Sequence, residues 1–248
     1  MKTTTAILSL IVICTISYGQ GDVAETMLPE IPWTQGNLVL NDGTKLTGKL
    51  KFNDRVGLLA FEDGAGDNRS FTARTISTFE YQDNKVNRKR VFYSLEYEDP
   101  EREGSKRAFV FELLKEFDDY AVLSRFDPMD VRQVVAPVSF TSMPATGSPR
   151  TIIDLAETVY ILTREGDIQP IFRLSEFISD GGVFDSERKK RRMVDKMLLP
   201  YFNDDAYYEM MEYVDEKELD IWAKEDFIKA LTFYKETLKT MDETTAVR

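Results

Sequence analysis

The chain has 248 residues, 42% of them hydrophobic and 30% charged, with a formal net charge of −11 and no histidine. That apolar fraction belongs to a folded globule, and so acidic a balance gives no general attraction to nucleic acid or anionic lipid. With no histidine and Cys14 as the only cysteine, Ser-His-Asp and Cys-His catalysis are excluded, and zinc, copper and haem sites lose their usual ligands.

The N-terminus predicts export. Met1-Lys2 supplies a positive charge, an apolar run follows over 6–16, and Ser17-Tyr18-Gly19 places small residues before Gln20. This is the pattern of a secretory signal peptide over 1–19, cut between Gly19 and Gln20, and the run is too short for a permanent membrane helix. Cys14 lies inside the apolar run behind Ile13, which does not fit a lipoprotein cut. Losing Lys2 with the leader takes the net charge from −11 to −12 and leaves no cysteine. Such a chain must hold itself together by burial alone, which is feasible where roughly 70% of the unfolded surface is buried. The missing disulfides point away from an animal extracellular protein and toward a bacterial envelope, periplasmic or secreted. No later apolar run reaches the roughly 18 residues of a transmembrane helix.

Residues 20–35 carry two prolines and little periodicity, and read as a lead-in. From 36 to 138 the period is two, which predicts an antiparallel β-domain. The first hairpin turns at Asn41-Asp42-Gly43. A three-residue loop with Gly43 in the left-handed region sets Leu38 against Leu46, Leu40 against Thr44 and Gly36 against Gly48. A turn around Asp54-Arg55 then sets Leu50 opposite Leu59 and Gly48 opposite Phe61. Further strands fit 57–62, 69–73, 76–82, 91–97, 108–114, 120–126 and 131–138. Val91, Tyr93, Leu95 and Tyr97 share one face, as do Phe109, Phe111 and Leu113. Residues 139–150 are rich in Ser, Thr, Pro and Gly and read as a linker loop, and 157–174 read as a hairpin turning at Glu165-Gly166-Asp167. The period then becomes helical. Met193, Val194, Met197, Leu198 and Tyr201 form one stripe, with Pro200 helping to end that helix. Ala206, Tyr207, Met210, Met211 and Val214 form a second, and Trp222, Phe227, Ile228, Leu231, Tyr234 and Leu238 a third. The expected fold is α+β: an antiparallel sheet domain, sandwich or small barrel, then a hairpin and C-terminal helices over 151–248.

Three groups of residues invite a chemical reading. Glu62, Asp63, Asp67 and Asn68 flank a Gly-rich loop and offer the oxygen ligands calcium accepts, without the spacing of an EF-hand. Arg188, Lys189, Lys190, Arg191 and Arg192 form a basic run that would suit an anion such as an envelope phosphate or acidic glycan. The acids of 204–220 are its alternative neighbours. Ser186 and Lys189 match Ser-x-x-Lys, but no Lys-Thr-Gly strand accompanies them. No cofactor is implied.

The signal peptide cut before Gln20, the strand pair Gly36-Asn37-Leu38-Val39-Leu40-Asn41-Asp42-Gly43 and Leu46-Thr47-Gly48-Lys49-Leu50, and the tail Glu225-Asp226-Phe227-Ile228-Lys229-Ala230-Leu231 with Tyr234 resemble a group of secreted or envelope proteins of the Bacteroidota. The resemblance spans most of the chain on short motifs. It implies an envelope location and carries over no activity. The expected function is a non-catalytic binding module with an envelope protein or glycan as partner. The alternative is a histidine-free, carboxylate-based hydrolase of envelope or extracellular glycans.

Overall fold

The structure is a computed structural model that describes residues 31–98, 106–134, 150–174 and 187–246. The leader, most of the 139–150 loop, the turn at 102–104, positions 135–138 and Ser186 lie outside those residues. The described part is α+β, with ten strands followed by helices. In chain order the strands are β1 (Thr34–Leu40), β2 (Lys45–Asn53), β3 (Leu58–Glu62), β4 (Asn68–Thr72), β5 (Ile76–Asp83), β6 (Arg88–Glu98), β7 (Lys106–Glu116), β8 (Tyr120–Val134), β9 (Arg150–Thr163) and β10 (Ile168–Arg173). The helices are α1 (Glu187–Leu198), α2 (Asp204–Glu216) and α3 (Lys224–Ala246), with a 3-10 turn over Leu199–Tyr201 that contains Pro200.

All ten strands join one antiparallel sheet, in the order β10-β9-β8-β7-β6-β5-β1-β2-β3-β4. The β9–β10 hairpin therefore continues the sheet begun before the 139–150 loop. The first hairpin has the expected register: Leu38 pairs with Leu46 and Gly36 with Gly48. Gly43 has φ +84°, its N–H donates to Leu40 O at 2.9 Å, and Asp42 Oδ1 accepts from Thr44 N at 2.9 Å. Asp42 thus satisfies its own turn. Gly43→Val forces a β-branched side chain into the left-handed region and is expected to cost about 1–2 kcal/mol, read as a lowered urea midpoint. Gly43→Asn should cost much less, because asparagine tolerates that conformation.

The second turn corrects the sequence reading. Leu50 pairs with Phe61 and Phe52 with Leu59, two positions from the expected register. Residues 54–57 form a four-residue turn closed by Gly57 N donating to Asn53 O, with Gly57 at φ +66°. The left-handed residue is Gly57, so the bend cannot close at Asp54-Arg55. Phe61 still covers Gly48, reaching it diagonally: a Cβ on Gly48 would lie 2.8 Å from Phe61 Cζ.

Leu38, Leu50, Leu59, Phe61, Ile76, Phe79 and Phe92 form one core at the β1–β6 end. Its members all come from strands of one sheet, so the sheet must curl around them. The rings of Phe52 on β2 and Phe92 on β6 show how far, with centroids 5.0 Å apart. Two strands separate β2 from β6, and a flat sheet would hold them about 14 Å apart.

A second core lies between β7–β10 and the helices. It gathers Leu114, Val122, Val159, Ile161 and Phe172 with Val194, Leu198, Tyr207, Met210, Phe227, Leu231 and Tyr234. The α2 stripe is buried as expected, and Asn203 caps that helix by accepting from Ala206 N. Trp222 is buried too, but in the turn before α3. A third cluster, Tyr97, Phe111, Leu123 and Tyr160, occupies the opposite face of β6–β9. The middle strands are therefore apolar on both faces, where alternation had suggested one: Phe92 and Val110 are buried on the face opposite Tyr97 and Phe111.

Candidate functional site

The most unusual chemistry sits where the curled half of the sheet meets the helices. In β7 the alternation puts Phe109, Phe111 and Leu113 on one face and Val110 and Glu112 on the other. Glu112 is only 3% exposed. A lone carboxylate there would be costly, and the fold surrounds it with cations. Arg88 Nη1 donates to its Oε1 at 2.9 Å, Arg90 Nε to Oε1 at 3.0 Å and Lys224 Nζ to Oε2 at 2.7 Å. Cross-strand register supplies the rest of the row: Phe92 pairs with Glu112, Glu112 with Ser124, and Phe126 with Glu157. Ser124 Oγ donates to Glu157 Oε1 at 2.7 Å, and Lys224 also binds Glu157. Arg88 Nη2 reaches Glu225 at 3.1 Å, and Arg90 Nη1 approaches Asp83 at 3.5 Å while stacking on Phe92, 5.0 Å from the ring centroid. Lys224 opens α3, where a cation opposes the helix dipole; Glu225 and Asp226 in the same turn and the bonds to Glu112 and Glu157 offset that.

Burial by itself would raise the Glu112 carboxyl, but the Lys224 charge and the Arg90 hydrogen bonds outweigh it and hold it at about 2, against 4.5 unperturbed. A carboxyl depressed on folding stabilises the native state above its unfolded value and loses that contribution as pH falls through the folded one. Stability at fixed urea is accordingly expected to decline from about pH 4.5 toward pH 2, with the decline reduced in Glu112→Gln. A decline of equal size in that variant would assign it to other carboxyls.

Beside this network lies a recess lined by Phe52, Asp54, Phe92, Val110, Ser124 and Phe126, along with Glu112 and Glu157. Its free interior is about 10 Å³, room for no more than a single water. On the other face, the Arg125 guanidinium sits 4.0 Å from the Phe109 ring centroid and 5.1–5.5 Å from those of Tyr97, Phe111 and Tyr160, bonded to Asp127. It acts as a charged spacer within an aromatic cluster.

The residues singled out in the sequence fall elsewhere. Glu62 binds Lys49 at 2.7 Å, and Asp63 Oδ1 accepts from Ala65 N at 2.9 Å and Asp67 N at 3.0 Å, closing the β3–β4 turn. Asn68 pairs with Glu62 in the ladder. Among the described residues no three acids, histidines or cysteines come together in a way that could hold a metal ion. Arg188, Lys189 and Lys190 belong to the first turn of α1. Arg191 is drawn into ion pairs with Asp195 at 3.3 Å and Asp215 at 3.1 Å, and Arg192 is exposed. The basic run and the acidic α2 thus meet through Arg191. Sequence reasoning missed Glu112, Glu157, Arg88, Arg90 and Lys224; the available signal was a glutamate enclosed by Phe111 and Leu113 in an apolar strand.

Comparison with family models, with curated proteins and with solved structures returned no match. No helix among the described residues is long and apolar enough to cross a membrane.

Proposed function

We propose that this chain is a non-catalytic binding module of a bacterial cell envelope. One observation carries the non-catalytic half of that reading. Glu112 on β7 and Glu157 on β9 lie near each other on the sheet, and both are bonded to Lys224 of α3 beside a recess of about 10 Å³. A glycosidase needs one carboxyl protonated near neutral pH and room for a sugar between the pair. Here Glu112 is held near 2, and the space between the acids is filled by the chain's own ammonium group. The envelope half of the reading rests on the leader pattern over 1–19. Fractionation and N-terminal sequencing of the expressed protein test it: the mature chain is expected in the envelope fraction, starting at Gln20.

The carboxylate-hydrolase alternative is tested with the purified protein and envelope glycans. No release of reducing ends is expected. Turnover by the wild-type chain that disappears in Glu157→Gln would establish the alternative.

A further inference from the structure

One lysine from the end of β7 and two from the middle of α3 lie where these elements meet. Lys115 Nζ donates to Thr232 Oγ1 at 3.1 Å. Thr232, Lys235, Glu236 and Lys239 are spaced i, i+3, i+4 and i+7, so they line one face of α3 and the Lys115 ammonium lies against it. Lys235 Nζ donates to Glu116 O at 2.5 Å and lies 5.9 Å from the Phe117 ring centroid, which fixes its stem beside β7. None of these lysines has a carboxylate within ion-pair distance among the described residues, whereas Arg88, Arg90, Arg125 and Lys224 each do. Burial, then the Lys235 and Lys239 charges, pull the Lys115 ammonium below the ordinary lysine range, with Glu236 opposing.

We propose that Lys115, Lys235 and Lys239 form an oxyanion site for a phosphoryl group; the Thr232 hydroxyl, which donates to Ile228 O at 2.8 Å, holds Lys115 in place and does not itself meet the anion. Ammonium groups gathered from a strand and a helix suit a multiply charged phosphoryl group. Lysines are point-charge partners for phosphate, whereas a planar carboxylate is better met by the arginine fork, absent here. An anion at this place relieves the repulsion among the lysines and accepts their remaining N–H groups. The phosphoryl group is either free phosphate or the headgroup of an envelope lipid.

The inference names ligand chemistry and so rests on the reading of the chain as a binder. Its failure would remove this site alone, because catalysis and location are tested separately. The experiment follows the lysine Cε–Hε resonances of the uniformly ¹³C,¹⁵N-labelled full chain, whose ammonium groups are left unmodified. Inorganic phosphate is titrated against sodium chloride at matched ionic strength. Saturable shifts at Lys115 and Lys239 and an upward movement of the Lys115 titration are expected with phosphate and not with chloride. Lys239→Ala, at an exposed position, should weaken binding by about fivefold with an unchanged melting temperature. Lys115→Met should weaken it further. Retention of the wild type on phosphatidylcholine vesicles containing phosphatidic acid, lost in Lys239→Ala, assigns the group to a lipid headgroup; binding of phosphate alone assigns it to the free anion. Responses to phosphate and chloride that coincide, with no vesicle retention, overturn the proposal.

Discussion

Replacing Glu112 by alanine is expected to destabilise the protein by roughly 3–5 kcal/mol, the cost of leaving buried charges without their partner. Three cations share this carboxylate, Arg88, Arg90 and Lys224, whose side chains are 19%, 15% and 17% exposed and whose remaining acids, Glu225, Asp83 and Glu157, are all more exposed than Glu112 or bound to another partner. The effect should appear in the urea midpoint with an unchanged m-value, since the surface exposed on unfolding is the same. Lys224→Met removes one cation of three and should cost less than Glu112→Ala. The double variant Glu112→Ala/Lys224→Met should be less destabilised than the sum of the singles, because the two changes remove one shared interaction. A loss below about 1 kcal/mol in Glu112→Ala would mean that water already solvates the cluster.

Gly48→Ala should cost about 3 kcal/mol, at the upper end of overpacking effects. A Cβ at Gly48 would lie 2.4 Å from Glu62 O and 2.8 Å from Phe61 Cζ. Its cross-strand partner Gly36 is as crowded, with Glu80 O at 2.3 Å and Leu50 Cδ1 at 2.7 Å. The blocking atoms include backbone carbonyls of the neighbouring strands, so a rotamer change cannot make room. We attribute the pair to the bend that lets the sheet close over Leu38, Leu50 and Phe61, where bare backbone permits the closest approach. Gly64→Ala is the control. Nothing lies within 4 Å of a Cβ there, and the effect should stay within about 0.5 kcal/mol.

What the sequence made legible was local. The Asn41-Asp42-Gly43 bend followed from an Asp-Gly pair between alternating strands, and its register is the one observed. The three helical stripes followed from their period, apart from Trp222, which packs from the preceding turn. The β2–β3 register slipped by two because Asp54-Arg55 and Gly57 were both plausible turn centres, and only the backbone angle at Gly57 separates them. Val91 to Tyr97 read as a strand with one apolar face because nothing local announces that the curling sheet will cover the other. The ion network was the least legible feature. Arg88 and Glu225 are 137 positions apart, and Lys224 and Glu112 are 112 apart. In a chain with 43 acids and 32 bases, such pairings emerge only once the sheet order and the docking of α3 are fixed. The same holds for Lys115 with Lys235 and Lys239. The contiguous run Arg188–Arg192 drew attention because it is contiguous, while the fold ties Arg191 to Asp195 and Asp215.

The reading of the chain as a binder turns on Glu112 being an ionised structural anchor. Side-chain carboxyl NMR of the intact protein, following the Glu112 Cδ resonance from pH 8 downward, measures this directly. The resonance is expected to remain that of a carboxylate until the pH approaches about 2. A midpoint between about pH 5 and 7 would instead describe a carboxyl tuned for proton transfer, and would contradict the account.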